Sequence, residues 1–166
     1  MSRRKNLMIF ENVITAEIIV DDIKSKVWEA WTTESGAKTF FAPDCKIDLR
    51  PGGAYEMYFD PDAAQGLRGG EGCQILAIQP MEMLSFTWNA PPGMPDVRGQ
   101  FTHVVVRFEH DRYGTKVILT HDGWGTGHTW RQAYAYFDAA WKKVVLPRLQ
   151  YRFCVGLIDW KSPPKF

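Results

Sequence analysis

The chain has few of the residues and patterns that mark a catalyst, a metalloprotein or a nucleic-acid binder. Of 166 residues only three are cysteine, Cys45, Cys73 and Cys154, odd in number and far apart. They form neither a disulfide framework nor a zinc pattern, which points to reduced, small-hydrophobic thiols in a reducing compartment. No HxH, HExxH or CxxC occurs. His103 and His110 lie at opposite strand parity, and a glycine-rich turn separates His121 from His128, so no metal site is expected. Charge of one sign is missing too: 20 Lys and Arg face 19 Asp and Glu, with no basic stripe beyond Arg3-Arg4-Lys5, which argues against nucleic acid. No apolar run reaches membrane-spanning length, and Asn6, Glu11 and Asn12 interrupt any leader, so the expectation is a cytoplasmic protein with no membrane insertion. No GxSxG elbow occurs. Gly123, Gly125 and Gly127 do precede a helix, but an antiparallel strand leads into them and no Lys-Ser/Thr follows, so neither a phosphate loop nor a cofactor is expected.

What the chain does have is aromatic mass. Aromatics reach 14% with seven Trp, more than the ordinary 45% hydrophobic and 23% charged fractions would lead one to expect. Such rings carry large area on few rotatable bonds and suit a core or a pocket wall. They are densest over residues 119–141. A strand-like run there ends in His121-Asp122-Gly123-Trp124-Gly125, and a helix follows with Trp130, Tyr134, Phe137 and Trp141 at spacings of four, three and four. That spacing predicts one aromatic stripe facing the sheet. The helix is expected over about 128–153, with a kink or break at Pro147, which has no amide hydrogen.

Upstream, residues 13–20 (VITAEIIV) read as a β-branched strand, and 25–31 and 37–41 as two short helices, Ser25 capping the first. Residues 45–50 and 54–59 form a hairpin around Pro51-Gly52-Gly53. Residues 71–79 and 83–89 are two further strands, and 101–110 pairs with 115–121 around Asp111-Arg112-Tyr113-Gly114. Segments 60–70 and 90–100 are the long irregular loops. The order is strand, two short helices, about six antiparallel strands, long helix. It fits a single domain over 1–166, with a core of about 13–154 and a tail of 155–166.

Five segments then come in a familiar order: Val27-Trp28-Glu29-Ala30-Trp31-Thr32, Phe40-Phe41-Ala42-Pro43, Asp48-Leu49-Arg50-Pro51-Gly52-Gly53, Leu84-Ser85-Phe86-Thr87-Trp88 and Leu119-Thr120-His121-Asp122-Gly123-Trp124. Together they resemble bacterial proteins similar to the C-terminal domain of the heat-shock chaperone ATPase activator, within the START-like (SRPBCC) superfamily. The resemblance implies an α+β helix-grip fold: a curved antiparallel sheet wrapped around a long C-terminal helix, with two short helices after the first strand and a cavity between sheet and helix. Superfamily members bind lipids, sterols, polyketides and plant hormones, and some are cyclases or hydrolases.

Strand parity supplies the expected cavity walls: Phe86 and Trp88, Phe108, Leu119 and His121, and Met57, facing Tyr134, Phe137 and Trp141, with Phe41 from the second short helix. His103 and Arg107 fall on the outer face. His121 could serve a ligand as acid or base, with Asp138 as its partner, or could be a satisfied structural histidine. No residue is assigned a catalytic role. The leading reading is a binding protein for a small apolar or amphipathic ligand with no defined chemistry. A cyclase- or hydrolase-type enzyme using His121, and a chaperone-associated interaction module, stand as alternatives, and a homodimer is left open. Pro91, Pro92 and Met94 either lie at the mouth of the pocket, as part of a lid, or belong to a surface excursion with no contact to the cavity.

Overall fold

In the computed structural model, which describes residues 12–166, period-two burial builds the sheet. β1 (Ile14–Val20) buries Ile14, Ala16 and Val20 and turns Thr15 and Glu17 to solvent. α1 (Lys24–Thr32) and α2 (Glu34–Ala37) follow, then β2 (Asp44–Ile47), β3 (Tyr55–Tyr58), β4 (Ile75–Gln79) and β5 (Met83–Trp88). A single helical turn, α3 (Pro95–Arg98), precedes β6 (Thr102–Asp111) and β7 (Gly114–Asp122). α4 (His128–Ala140), a π-helical turn (Trp141–Val145) and α5 (Leu146–Cys154) complete the regular structure of the described residues. Five strands form one antiparallel sheet in the order β1-β7-β6-β5-β4, and β2 pairs with β3 in a separate ribbon. The bridges Ala54↔Gln74 and Tyr58↔Gly69 tie that ribbon to the segment leading into β4. This is the α+β helix-grip fold. Among the described residues no helix is long and apolar enough to cross a membrane.

Local chemistry explains where the elements depart from the expected bounds. β4 starts at Ile75 rather than at 71, because Gly69 and Gly72 hold φ of 150° and 85° and turn the chain before it can pair. α3 forms inside the 90–100 loop with Pro95 in its first turn, where a missing N–H costs nothing. Ser25 caps no helix: α1 begins at Lys24 without a side-chain cap. The expected break at Pro147 is absent. A proline ring clashes with the carbonyl four residues back and offers no hydrogen bond. The helix instead widens by one residue just upstream, and the Leu146 N–H donates to the Trp141 carbonyl. At the β6–β7 hairpin, Asp111 pairs with Gly114 at φ 134°; a Cβ there would overlap the Val20 carbonyl.

The inner face of the sheet is divided. Near α1 it is solid. Trp31 is fully buried, with its ring 5.1 Å from Phe40 and 5.4 Å from Phe41. Trp28 meets Phe108 edge-on at 5.3 Å, and Phe86 lies 4.4 Å from Tyr55. The Tyr55 hydroxyl donates to the Trp31 carbonyl at 2.8 Å, whereas the buried Trp31 Nε1 has no hydrogen-bond partner among the described residues. Burying one such large side chain contributes on the order of 1.5–3 kcal/mol, which makes this end the anchor of the fold. Toward Trp88 and the π-helical turn, packing is incomplete.

Candidate functional site

His121 sits where β7 leaves the sheet and is completely buried. The Trp141 Nε1–H donates to its Nδ1 at 3.0 Å, so Nδ1 is unprotonated and the proton rides on Nε2. Nε2 donates to the Thr102 hydroxyl at 2.6 Å, and that hydroxyl donates to the Trp88 carbonyl at 3.1 Å. Trp124 packs 4.2 Å from the imidazole and Phe137 5.1 Å. Burial, with a smaller contribution from His103, pushes the pKa of His121 down to about 3. It is therefore a neutral imidazole with both nitrogens engaged, tying the end of the sheet to the helix. Asp138 does not reach it: that carboxylate pairs with Lys142 one turn on, at 2.6 Å, and is more than one-third exposed. Of the two readings of His121, the structure shows the satisfied structural histidine and not the His121–Asp138 pair, because Asp138 lies on the flank of the stripe and the inward positions belong to Phe137 and Trp141.

Beside this network a cavity of about 750 Å³ separates the C-terminal helix from the end of the sheet. Its floor is Phe41, Trp88 and Trp141, all buried, with the Trp88 ring 5.7 Å from each of the other two. The helix contributes Tyr136, Phe137, Ala139, Ala140 and Val144. Phe59, Leu67, Pro91 and Pro92 face them. Phe59, Leu67 and Tyr136 are 45%, 52% and 47% exposed, so the rim opens to solvent and is apolar there. Exposed rings gathered round a concavity are the usual mark of a ligand site. The polar lining is sparse: Asp60, Arg68, Asn89, Lys143 and Arg148.

Of the cavity walls read from parity, Phe41, Trp88, Phe137 and Trp141 line this space. Phe86, Phe108, Leu119, Met57, His121 and Tyr134 do not. The first four of these point inward but are covered by the aromatics of the solid end. His121 is sealed behind Trp124, Phe137 and Trp141. Tyr134 and Trp130 grip Trp124 from the turn, at 5.4 and 6.3 Å; Tyr134 packs at the edge of the main core, and Trp130 joins Ala90, Val97 and Ala133 in a smaller cluster. Gly125 allows that grip, since a Cβ there would overlap the Trp130 indole. His103 and Arg107 lie on the outer side of β6. Several cavity residues were missed: Tyr136, Ala140, Val144 and Arg148. They stand at strict spacings of four on the stripe next to the aromatic one, a periodic signal present in the chain.

The two long loops border the cavity, and one arginine joins them. Arg98 donates to the Ala90 carbonyl at 2.6 Å, to the Gly66 carbonyl at 2.8 Å and to Glu71 at 3.2 Å. Glu71 also accepts from the Arg68 and Gly69 amides at 3.1 and 2.7 Å. Burial alone would raise its pKa, but these amide bonds outweigh it and hold the carboxyl below the usual range. Pro91 and Pro92 border the cavity. Met94 instead packs with Val97 and Ala133, drawn there by the α3 turn. The thiols offer no nucleophile inside: burial pushes Cys45 up to about 11 and Cys73 up to about 12. Among the described residues, no three His, Cys, Asp or Glu side chains group as a metal site would need.

Comparison with known proteins agrees with this architecture. The family model described as "Activator of Hsp90 ATPase homolog 1-like protein" matches residues 24–150. Among solved structures, the Aha1 dimer from Colwellia psychrerythraea is 20% identical, with a TM-score of 0.66 over 87% of this chain and 97% of that one. Protein MLL2253 from Mesorhizobium loti is 18% identical, with a TM-score of 0.64 over 85% of this chain and 93% of that one. CalU16 from Micromonospora echinospora is 24% identical, with a TM-score of 0.59 over 89% of this chain and 75% of that one. No match was found among curated proteins.

Proposed function

The chain belongs to the Activator of Hsp90 ATPase homolog 1-like family, and within that fold we propose that it binds a small, largely apolar molecule between the sheet and the C-terminal helix, without a chemical step. The observation that carries this reading is the cavity of about 750 Å³ with an aromatic floor and an apolar, open rim. Its size falls within the range of roughly 300–1,000 Å³ usual for small-molecule sites. Trp88, Trp141 and Phe41 present ring faces and edges rather than reactive groups. The enzyme reading loses its central residue, because His121 is neutral, closed off and has no free nitrogen for a substrate. Assembly as a homodimer is a proposal by likeness to the Colwellia psychrerythraea protein, and light scattering of the purified chain tests it.

The ligand reading is tested with the neutral fluorophore N-phenyl-1-naphthylamine, which brightens in apolar surroundings. The expected result is saturable binding to the wild type that is lost in Ala140→Trp, which fills the cavity from the helix side. Equal binding by both proteins, with circular dichroism showing the variant folded, would contradict the reading.

A further inference from the structure

The lining of this cavity is unbalanced in charge, and the inference drawn from it rests on the ligand reading above. Three cations, Arg68, Lys143 and Arg148, border the space against one carboxylate, Asp60. Among the described residues none of the three cations forms an ion pair; the nearby acids are taken, Asp138 by Lys142 and Glu71 by Arg98. Arg68 is partly satisfied, its Nε donating to the Ala63 carbonyl at 3.0 Å. Arg148 is not. Its Nε is buried and has no hydrogen-bond partner. The guanidinium is nonetheless held in place, stacked 5.2 Å from the Trp160 ring, whose own N–H is fixed on the Lys38 carbonyl at 2.7 Å. Burial lowers the pKa of Arg148, as expected of a cation drawn from water with no carboxylate beside it. A fixed, partly desolvated cation without a counter-charge is costly at an apolar wall, and a bound anion removes that cost.

We propose that the cavity selects amphiphiles bearing a single acidic group, a carboxylate above all, with the apolar body over Trp88, Phe41 and Tyr136 and the acid at Arg148 and Lys143. Arginine suits this role, since its planar fork meets a carboxylate through two parallel hydrogen bonds, and Lys143 adds a second positive charge from the π-helical turn.

Two dyes with one ring skeleton test this. Anilinonaphthalene sulfonate carries an anionic group that N-phenyl-1-naphthylamine lacks. The anionic dye should bind the wild type at least about tenfold more tightly at low salt, the ratio a charged hydrogen bond carries. Arg148→Met should weaken the anionic dye by about tenfold and leave the neutral dye within about twofold. Dodecanoate should displace the neutral dye at far lower concentration than dodecanol. Lys143 is exposed, so Lys143→Met supplies the same comparison should Arg148→Met fail to fold. If the neutral dye binds and is lost in Ala140→Trp, while the charged dye gains nothing and both methionine variants affect the dyes alike, the acid-group inference is overturned and the ligand reading stands. If neither dye binds the cavity, both are overturned.

Discussion

Replacing His121 with asparagine should flatten the acid limb of the stability curve. The folded imidazole titrates at about 3, well below its ordinary value of 6.5, because burial penalises the charged form. Its contribution is complete above pH 6.5. As the pH falls toward 3, the unfolded chain takes up a proton that the folded chain refuses, so stability drops by about 1.4 kcal/mol per pH unit from this residue. Urea unfolding at pH 7, 6, 5 and 4 should show the wild type losing stability with a slope about one proton steeper than His121→Asn; parallel slopes would mean that His121 is not neutral in the fold. Trp141→Phe should cost roughly 1–3 kcal/mol, chiefly by leaving Nδ1 of His121 buried and unpaired, and equilibrium unfolding at pH 7 measures it. Parity in the chain places His121 on the inner face, which is where it lies. Its partners Thr102 and Trp141 are 19 and 20 residues away in opposite directions along the chain, and parity says nothing about which inward groups meet across elements.

At the scale of elements, the loops behave as a pair because Arg98 holds them. Arg98→Met should speed hydrogen exchange at the Arg68 and Gly69 amides by about tenfold or more, since the Glu71 carboxylate that accepts them loses its cationic anchor. Unchanged exchange there would show that the turn at 66–72 holds itself without the latch. Composition marks both loops as long and rich in ladder-breaking residues. Their joint fastening rests on two long-range contacts of Arg98, to the Gly66 carbonyl and to Glu71, which no local pattern encodes. The long helix shows the same division. Its span and its aromatic stripe follow from periodicity, and Pro147 follows from chemistry. Whether a proline breaks, kinks or widens a helix depends on tertiary packing: here Trp141 and Val145 are buried against the sheet side on both ends of the π-helical turn, so the helix widens and keeps its course.

At the scale of the whole molecule, the architecture was legible because β3, β6 and β7 alternate buried and less buried residues over most of their length and the five family segments appear in register. The position of the cavity was legible only in part. Inward-facing residues are common to the solid end and the open end of the sheet. The division between them is set by Trp28, Trp31 and Phe40, which fill one end from the α1 side. A ligand that fills the open end should stabilise the fold by mass action, raising the melting temperature with concentration in the wild type and not in Ala140→Trp. The most direct measurement is native mass spectrometry of the protein purified from its own host without denaturation. The account predicts a discrete non-covalent adduct of small-molecule mass that is released on denaturation and absent from Ala140→Trp. Bare polypeptide mass in the wild type, joined to a melting temperature that no apolar or acidic amphiphile shifts, would contradict it.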